Sequence, residues 1–319
     1  QRYGVSNMTT RHIRQEKGGF TLLELLVTVG IMAAVAGTAT LALQDTTARA
    51  SAAAHVLMMD ELNEGIMTYR VLRGNAYPDS FDSLLETTVG GSAAAGDTQA
   101  FSQLGASVSD GGTVGDLSVA PIPAGVTALL NDVGITTYRL VDTTLTGGAA
   151  PEDSAGLDCT NVQALINSRS NAVVAGNIYL SAGANGCGIA ATIADGQEAV
   201  FWSGGNERVL GSDAIEPVFN LDGSLAASPD GAKLLMVLGA GPSSTLFDAS
   251  ELGGLTSVPV YRHVAQDEYQ RFFILFHVAT STAGAFLAVD QVNIAGVVDS
   301  AGDTKEEELG EWDGTRNTI

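Results

Sequence analysis

Glu24 is the residue whose type and position first point to chemistry. It is the only ionisable residue in a largely apolar run of 24 residues, 20–43, which reads FTLLELLVTVGIMAAVAGTATLAL. A carboxylate is costly to bury in such a segment, and charged residues placed there usually have a function. Gly18 and Gly19 precede the run and present a backbone without side chains at its edge. Glu24 and the glycine pair are therefore the first candidate functional residues.

A membrane-spanning helix is the element that would carry Glu24. As a helix, the run 20–43 is about 36 Å long, which is enough to cross a hydrocarbon core of roughly 30 Å. Arg11, Arg14 and Lys17 precede the run. The positive-inside rule then predicts a cytoplasmic N-terminus and a chain that continues outside the cytoplasm.

The residues KGGFTLLELL (17–26) resemble the processing site of type IV prepilins and type II secretion pseudopilins. The resemblance implies that a prepilin peptidase cuts after Gly19 and methylates the new terminal amine of Phe20. It also implies that Glu24 pairs with the terminal amine of a neighbouring subunit. Inside a filament core both charges are desolvated, and each costs less when it is paired. The chain departs from the family pattern at Leu41, where many members have a proline.

Two other interpretations of the apolar run remain open. A secretory signal would use the small-x-small sites in ARASA (48–52), but the apolar part of such signals usually has roughly 7–15 residues. A plain membrane anchor would need neither the Gly19–Phe20 edge nor Glu24. The prepilin interpretation accounts for the length, the edge and the carboxylate together. A start at Met8 would give it the short basic leader MTTRHIRQEKGG.

Apolar residues continue at helical spacing beyond the membrane run. They recur at steps of three and four residues: Val56, Met59, Leu62, Ile66 and Tyr69. This spacing predicts a helix with one buried face. No proline interrupts residues 20–73, and Gly74-Asn75 is a helix stop. We therefore predict a prepilin leader over residues 1–19, a transmembrane and assembly helix over 20–73, and a globular pilin-like head over 74–319.

The head contains several short segments typical of strands. These are 137–142, 172–180, 198–203, 233–239 and 258–264, together with a hairpin of 269–279 and 286–299. Residues 124–133 predict a short helix, and the charged C-terminal segment 305–319 predicts an exposed surface. The predicted fold class is α+β, with a long N-terminal helix packed on a large antiparallel-sheet head.

The composition favours a folded, acidic protein. Hydrophobic residues make up 45% of the 319 residues, enough for a sizeable core. There are 36 acidic and 15 basic side chains, which gives a formal net charge of −21. A surface this negative repels phosphates, so we expect no nucleic-acid partner.

Cys159 and Cys187 are the two cysteines of the chain. Neither belongs to a CxxC motif, so zinc or haem ligation has no support. If the head lies outside the cytoplasm, the two thiols can form one disulfide that closes a long loop. The alternative is two unpaired buried thiols; we predict the disulfide.

Motifs for enzymatic chemistry are missing from the sequence. It contains no GxSxG, HExxH, P-loop or CxxCH pattern, so we expect no enzyme, no cofactor and no metal. Three acidic loops, 220–224, 228–233 and DSAGD at 299–303, carry oxygen ligands that calcium prefers. None has the spacing of a calcium-binding loop, and turns are the favoured interpretation.

The sequence as a whole predicts a structural subunit of a type IV pilus or related filament. Its expected partners are other pilins, a prepilin peptidase and the inner membrane, which the precursor spans once with its head outside the cytoplasm. The mature subunit is then expected in a periplasmic or extracellular filament. The alternatives are a pseudopilin of a type II secretion system and an adhesin-like binding module at a filament tip. An exposed apolar or aromatic patch on the head would favour the adhesin.

Overall fold

Helix α1, Leu22–Leu72, is the first element of the chain. The computed structural model describes residues 21–87, 116–142, 188–220, 225–261, 269 and 271–313. The predicted cleavage site at Gly19 and Phe20, the predicted disulfide between Cys159 and Cys187, and the predicted strand at 172–180 lie outside the described residues. The chain divides between Arg49 and Ala50 into two compact units, and each is described by itself. The predicted domain boundaries stay predictions.

The part of α1 in the second unit has the buried stripe that its spacing predicts. The five stripe residues are each at most 7% exposed and join the hydrophobic core of that unit: Val56, Met59, Leu62, Ile66 and Tyr69. The helix ends where Gly74 and Asn75 take positive φ angles of 66° and 78°. Glycine and asparagine tolerate this left-handed conformation, which stops a helix. The predicted helix and its stop are therefore confirmed.

Eight strands and three further helices follow in the described residues. The strands are β1 Phe81–Thr87, β2 Leu117–Pro121, β3 Thr137–Asp142, β4 Gly188–Thr192, β5 Glu198–Trp202, β6 Lys233–Gly239, β7 Phe273–Thr282 and β8 Ala285–Val298. The helices are α2 Val126–Asp132, α3 Asn206–Leu210 and α4 Lys305–Asp313, with a 3₁₀ turn at Thr245–Phe247. The predicted α+β class is confirmed.

Strand β6 lies at the centre of the sheet. It pairs with β7 along its whole length, and on its other side it contacts both β5 and β1. Six of its seven residues are buried, as expected of a strand with neighbours on both faces and both edges. The sheet continues from β5 to β2 and from β1 through β3 to β4. The core of the second unit therefore forms around β6.

One strand pair makes the sheet mixed rather than antiparallel. Strands β1 and β3 run parallel, whereas the other pairs among the described residues are antiparallel. A parallel pair needs a long crossover connection, and the chain between β1 and β3 is long enough to contain β2 and α2. This arrangement differs from the antiparallel sheet that the sequence predicts.

The strand predictions succeed where the apolar pattern is regular. Strands β3, β5 and β6 confirm the predictions for 137–142, 198–203 and 233–239, and α2 confirms the helix at 124–133. The predicted hairpin is the β7–β8 pair. Residues 258–261 of the predicted strand 258–264 form no strand.

Strand β1 has no strand signature in its sequence, FDSLLET. Asp82 and Ser83 are buried beside its apolar residues, and Leu84 has a positive φ of 64°. The pairing with β3 is irregular between Asp82 and Glu86. A bulged strand loses its alternation of apolar and polar residues, so the pattern on which strand prediction relies is missing.

The C-terminal segment differs from its predicted exposure. Helix α4 lies inside residues 305–319, and its Glu308 is only 1% exposed. The prediction of an exposed segment is therefore wrong for Glu308. Burial of this carboxylate is possible because His55 and Asp299 lie beside it.

Candidate assembly segment

The N-terminal end of α1 is closed by two side chains that cap each other. The backbone N–H and the hydroxyl of Thr21 donate to Oε2 of Glu24, at 2.9 and 3.0 Å. In return, the backbone N–H of Glu24 donates to Oγ1 of Thr21 at 3.3 Å. This reciprocal arrangement is a capping box, which satisfies backbone donors that a helix start otherwise leaves unpaired.

The capping box gives Glu24 a second role, which is to cap the start of its own helix, and this role was not predicted from the sequence. A threonine three residues before a glutamate, at the edge of an apolar run, is the signal that would have found it. Both hydrogen bonds that Thr21 donates end on one oxygen of the Glu24 carboxylate, Oε2. A carboxylate can accept about four hydrogen bonds in total. Glu24 therefore keeps capacity for a second partner while it caps its own helix.

The helix around Glu24 has apolar side chains on every face. Residues Leu22–Thr40 are long and apolar enough to cross a membrane by length and composition, with a mean hydropathy of 2.0 and no buried residue. Nine large side chains here are between 47% and 83% exposed: Leu22, Leu23, Leu25, Leu26, Val27, Val29, Ile31, Met32 and Val35. Such a surface needs lipid or other apolar helices around it.

The hydroxyl groups in this segment are satisfied within the helix. Thr28 donates to the carbonyl of Leu25 at 2.9 Å, and Thr40 donates to the carbonyl of Ala36 at 2.7 Å. Thr38 bonds in the same way to carbonyls one turn earlier. Polar groups in hydrocarbon must find partners in their own segment. The threonines therefore do not prevent this helix from entering an apolar environment.

The middle of the segment contains small residues and no proline. Gly30 and Gly37 have open space where a Cβ atom would lie. They are seven residues apart, so they lie on one face of the helix. Helix α1 continues through Leu41, where many prepilins have a proline. A proline would remove a helix hydrogen bond and kink the helix, and this chain has no such break at Leu41.

The end of α1 is attached to the head by close contacts. Gly65 faces Leu255 so closely that an added Cβ would lie 2.8 Å from a leucine methyl carbon. The Arg70 guanidinium lies 4.2 Å from the centre of the Tyr77 ring and donates to the Asn75 side chain at 2.5 Å. Arg73 forms an ion pair with Glu251. These contacts hold the last turns of α1 to the second unit.

The segment after the helix is fixed by Asp79. Its carboxylate accepts hydrogen bonds from the backbone N–H groups of Thr136 and Thr137, both at 2.9 Å. The hydroxyl groups of both threonines donate to the other carboxylate oxygen. Asp79 thus ties the chain that leaves the helix to the start of β3.

Of the predicted site residues, Glu24 lies in the part of the chain that the structure describes. Glu24 lies on the helix that the sequence predicts, three residues from its capping partner Thr21. Gly19, Phe20, Cys159 and Cys187 lie outside the described residues, so cleavage and the disulfide stay predictions.

Residues 14–40 match the family described as the prokaryotic N-terminal methylation motif. This motif is the signature of type IV pilins and pseudopilins, and the matched range contains the glycine pair, Phe20 and Glu24. No curated protein and no solved structure matches the chain. The similarity thus supports a type IV pilin-like or pseudopilin protein and an inner-membrane-anchored precursor.

Proposed function

We propose that this chain is a structural subunit of a type IV pilus or a related filament, processed after Gly19 and assembled through its N-terminal helix. The observation that carries the proposal is the methylation motif over residues 14–40. From Leu22 onward the motif lies on a helix that is apolar on every face and begins at the Thr21–Glu24 capping box. The function is assembly, and it requires no catalysis by this chain.

Processing and assembly follow from the chemistry of the helix start. Cleavage after Gly19 by a prepilin peptidase would create a terminal amine on Phe20, one residue before the helix cap. When the apolar helix leaves the membrane for a filament, Glu24 accepts the terminal amine of a neighbouring subunit. Pairing offsets the desolvation of both charges.

The exposed apolar side chains supply the second driving force. In the precursor, Leu22–Thr40 lies in the inner membrane with the head outside the cytoplasm. In the filament, the same surface packs against the helices of other pilins. Small residues such as Gly30 and Gly37 let neighbouring helices approach closely. The mature protein is then part of a periplasmic or extracellular filament.

The other roles that the sequence left open receive less support. A pseudopilin of a type II secretion system shares the motif and differs in the filament that it enters. For an adhesin-like tip module, the head would need an exposed aromatic or apolar patch. Among the described side chains of the head, the exposed large hydrophobic ones are aliphatic, such as Ile215, Leu252 and Leu287, and none is aromatic. The acidic composition also gives no support to a nucleic-acid partner.

The test is N-terminal mass spectrometry of the mature protein isolated from its native envelope. A mature chain that begins with N-methylated Phe20 is the expected result. A start near Ser51 would indicate secretory processing, and an intact N-terminus would indicate a plain anchor; either result would overturn the proposal. Fractionation of the same sample between membrane, sheared filaments and secretion complexes then distinguishes a pilin from a pseudopilin.

A further inference from the structure

A buried group of ionisable side chains joins α1 to the C-terminal helix α4. His55 of α1 is 4% exposed and Glu308 of α4 is 1% exposed. Nδ1 of His55 lies 3.3 Å from Oε1 of Glu308. The Tyr261 ring packs on the imidazole with 4.4 Å between the ring centres. These contacts shield the pair from water, so its charge state matters to the attachment of α4.

Asp299 adds a second buried carboxyl group. It follows β8 directly and is completely buried. One of its oxygens, Oδ1, accepts hydrogen bonds from the backbone N–H groups of Ala301 and Asp303, at 2.8 and 2.9 Å. A carboxylate oxygen of Asp299 also lies within 4.8 Å of a carboxylate oxygen of Glu308. Ionised carboxylates are acceptors only, so a hydrogen bond between these two groups requires a proton on one of them.

The charges around this pair are mostly negative. His55 of α1 contacts Glu308, and the Tyr261 ring packs on His55. A carboxylate oxygen of Asp303, in the loop after β8, lies within 4.8 Å of those of the pair. Arg208 of α3 lies 3.9 Å from Asp303. The Arg208 guanidinium is already engaged by Glu307 at 2.8 Å and Asp116 at 2.9 Å.

We propose that Asp299, Glu308 and His55 form a proton-dependent clasp that holds helix α4 on helix α1, tight in acid and looser toward alkaline pH. While the two carboxyl groups share one proton, their hydrogen bond closes the clasp. Loss of that proton puts two negative charges into direct contact in a buried site, where repulsion is strong. The helix then opens locally, because water can solvate both carboxylates in the open state.

The direction of the effect follows from the titration of Asp299. Burial, and then the hydrogen bond with Glu308, raises the pKa of Asp299 to about 8 in the closed state. In an open state the carboxyl would return toward its ordinary pKa of about 4. The closed state therefore holds an extra proton between these values. The stabilisation of the closed state relative to the open state is therefore complete below about pH 4 and is lost as the pH rises to about 8.

A second contact between the same helices offers a matched control. Lys305 of α4 lies 2.5 Å from Oδ1 of Asp60 on α1, and the side chains of this pair are 41% and 51% exposed. This exposed contact joins α4 to α1 through side chains other than the buried carboxyl groups, and its variant is compared with the wild type from pH 5 to 9. Removing it weakens the attachment of α4 equally at every pH in that interval.

Amide hydrogen exchange in α4 tests the clasp in the full-length chain in detergent micelles. Rates are measured from pH 5 to 9 and divided by the intrinsic exchange rates. We expect the opening equilibrium to rise about tenfold per pH unit up to about pH 7 and to level off above about pH 8. In Asp299→Asn, the amide can donate to Glu308 without a shared proton, so opening should be rare and independent of pH.

Two further variants make the result decisive. Glu308→Gln should also abolish the pH dependence, and it replaces Asp299→Asn if that variant fails to fold. Lys305→Met should raise opening at all pH values and keep the slope. A wild-type profile without slope, or an unchanged slope in both carboxyl variants, would overturn the proposal. So would closure of α4 at pH 8 by stoichiometric binding of calcium, since the carboxylates would then hold a cation in place of a proton.

Discussion

Thr21 and Glu24 cap the first turn of α1 from both directions, because each side chain accepts the backbone N–H of the other. The same relationship recurs at the start of α4, where Thr304 and Glu307 exchange backbone-to-side-chain bonds at 2.9 and 3.4 Å. In both places the glutamate is also suited to a second partner. For Glu307 this partner is Arg208, and for Glu24 we propose the terminal amine of another subunit.

The double role of Glu24 can be separated by substitution. Glu24→Ala removes both the cap and the charge, whereas Glu24→Gln keeps a capping acceptor and removes only the charge. Both variants should be cleaved after Gly19 as efficiently as the wild type and should enter filaments poorly, by about tenfold or more. Immunoblots of sheared filaments against whole-cell precursor and mature bands measure the two steps. Normal incorporation of Glu24→Gln would contradict charge pairing.

Thr21→Val is the matched control for Glu24. It removes the hydroxyl that accepts the Glu24 N–H and leaves the carboxylate in place. The helix start should fray, but the charge needed for pairing remains. We expect filament entry within about threefold of the wild type. A loss as large as that of Glu24→Gln would mean that capping, and not charge, is the requirement.

Gly239→Ala should destabilise the head. Gly239 is the last residue of β6, and an added Cβ would lie within van der Waals overlap of the Tyr269 hydroxyl oxygen. That hydroxyl donates to Asp82 at 2.9 Å in a buried site. Overpacking of a core typically costs about 1–3 kcal/mol, so the free energy of unfolding should fall by this amount. Chemical denaturation followed by tryptophan fluorescence measures it, and an unchanged midpoint would contradict the close packing.

The β7–β8 turn leaves room for stabilisation. Its two residues, Ala283 and Gly284, have positive φ angles of 53° and 79°. Asparagine tolerates this conformation better than alanine, and Asn-Gly is a preferred hairpin turn. Ala283→Asn should therefore raise the free energy of unfolding by about 0.5–1 kcal/mol. The control is Ala285→Asn at the first residue of β8, which should give no gain; equal effects at both positions would refute the turn argument.

Glu307 should stabilise the protein only above acidic pH. Burial opposes its ionisation, but hydrogen bonds from Arg208 and Thr304 prevail and lower the pKa of Glu307 to about 2. Its folded pKa lies below the ordinary value, so its contribution is present above about pH 4.5 and is lost as the pH falls toward 2. Glu307→Gln should lower stability by about 1–2 kcal/mol at pH 6, since solvent screens part of the pair. Denaturant midpoints at pH 6 and pH 2.5 should show a much larger difference between variant and wild type at the higher pH.

Regular local patterns let the sequence predict much of the fold. Strands β3, β5 and β6 and the β7–β8 hairpin carry apolar runs with clear ends, and α1 keeps its apolar stripe until the glycine stop. Their boundaries agree with the prediction within a few residues. Neither strand β1 nor the parallel β1–β3 pair was predicted from the sequence. A bulged strand with buried Asp82 has no regular period, and strand order depends on contacts far apart in the chain.

The chemistry of the N-terminal segment was determined by the sequence itself. A membrane helix and a processing motif depend on residues that are close together in the chain, so composition and spacing suffice to find the glycine pair, the apolar run and Glu24. The burial of Glu308 was decided by tertiary structure alone. His55 and Glu308 are 253 positions apart, and only folding removes the water that would otherwise solvate this carboxylate. Local sequence therefore identifies the assembly segment, whereas long-range packing creates the buried clasp.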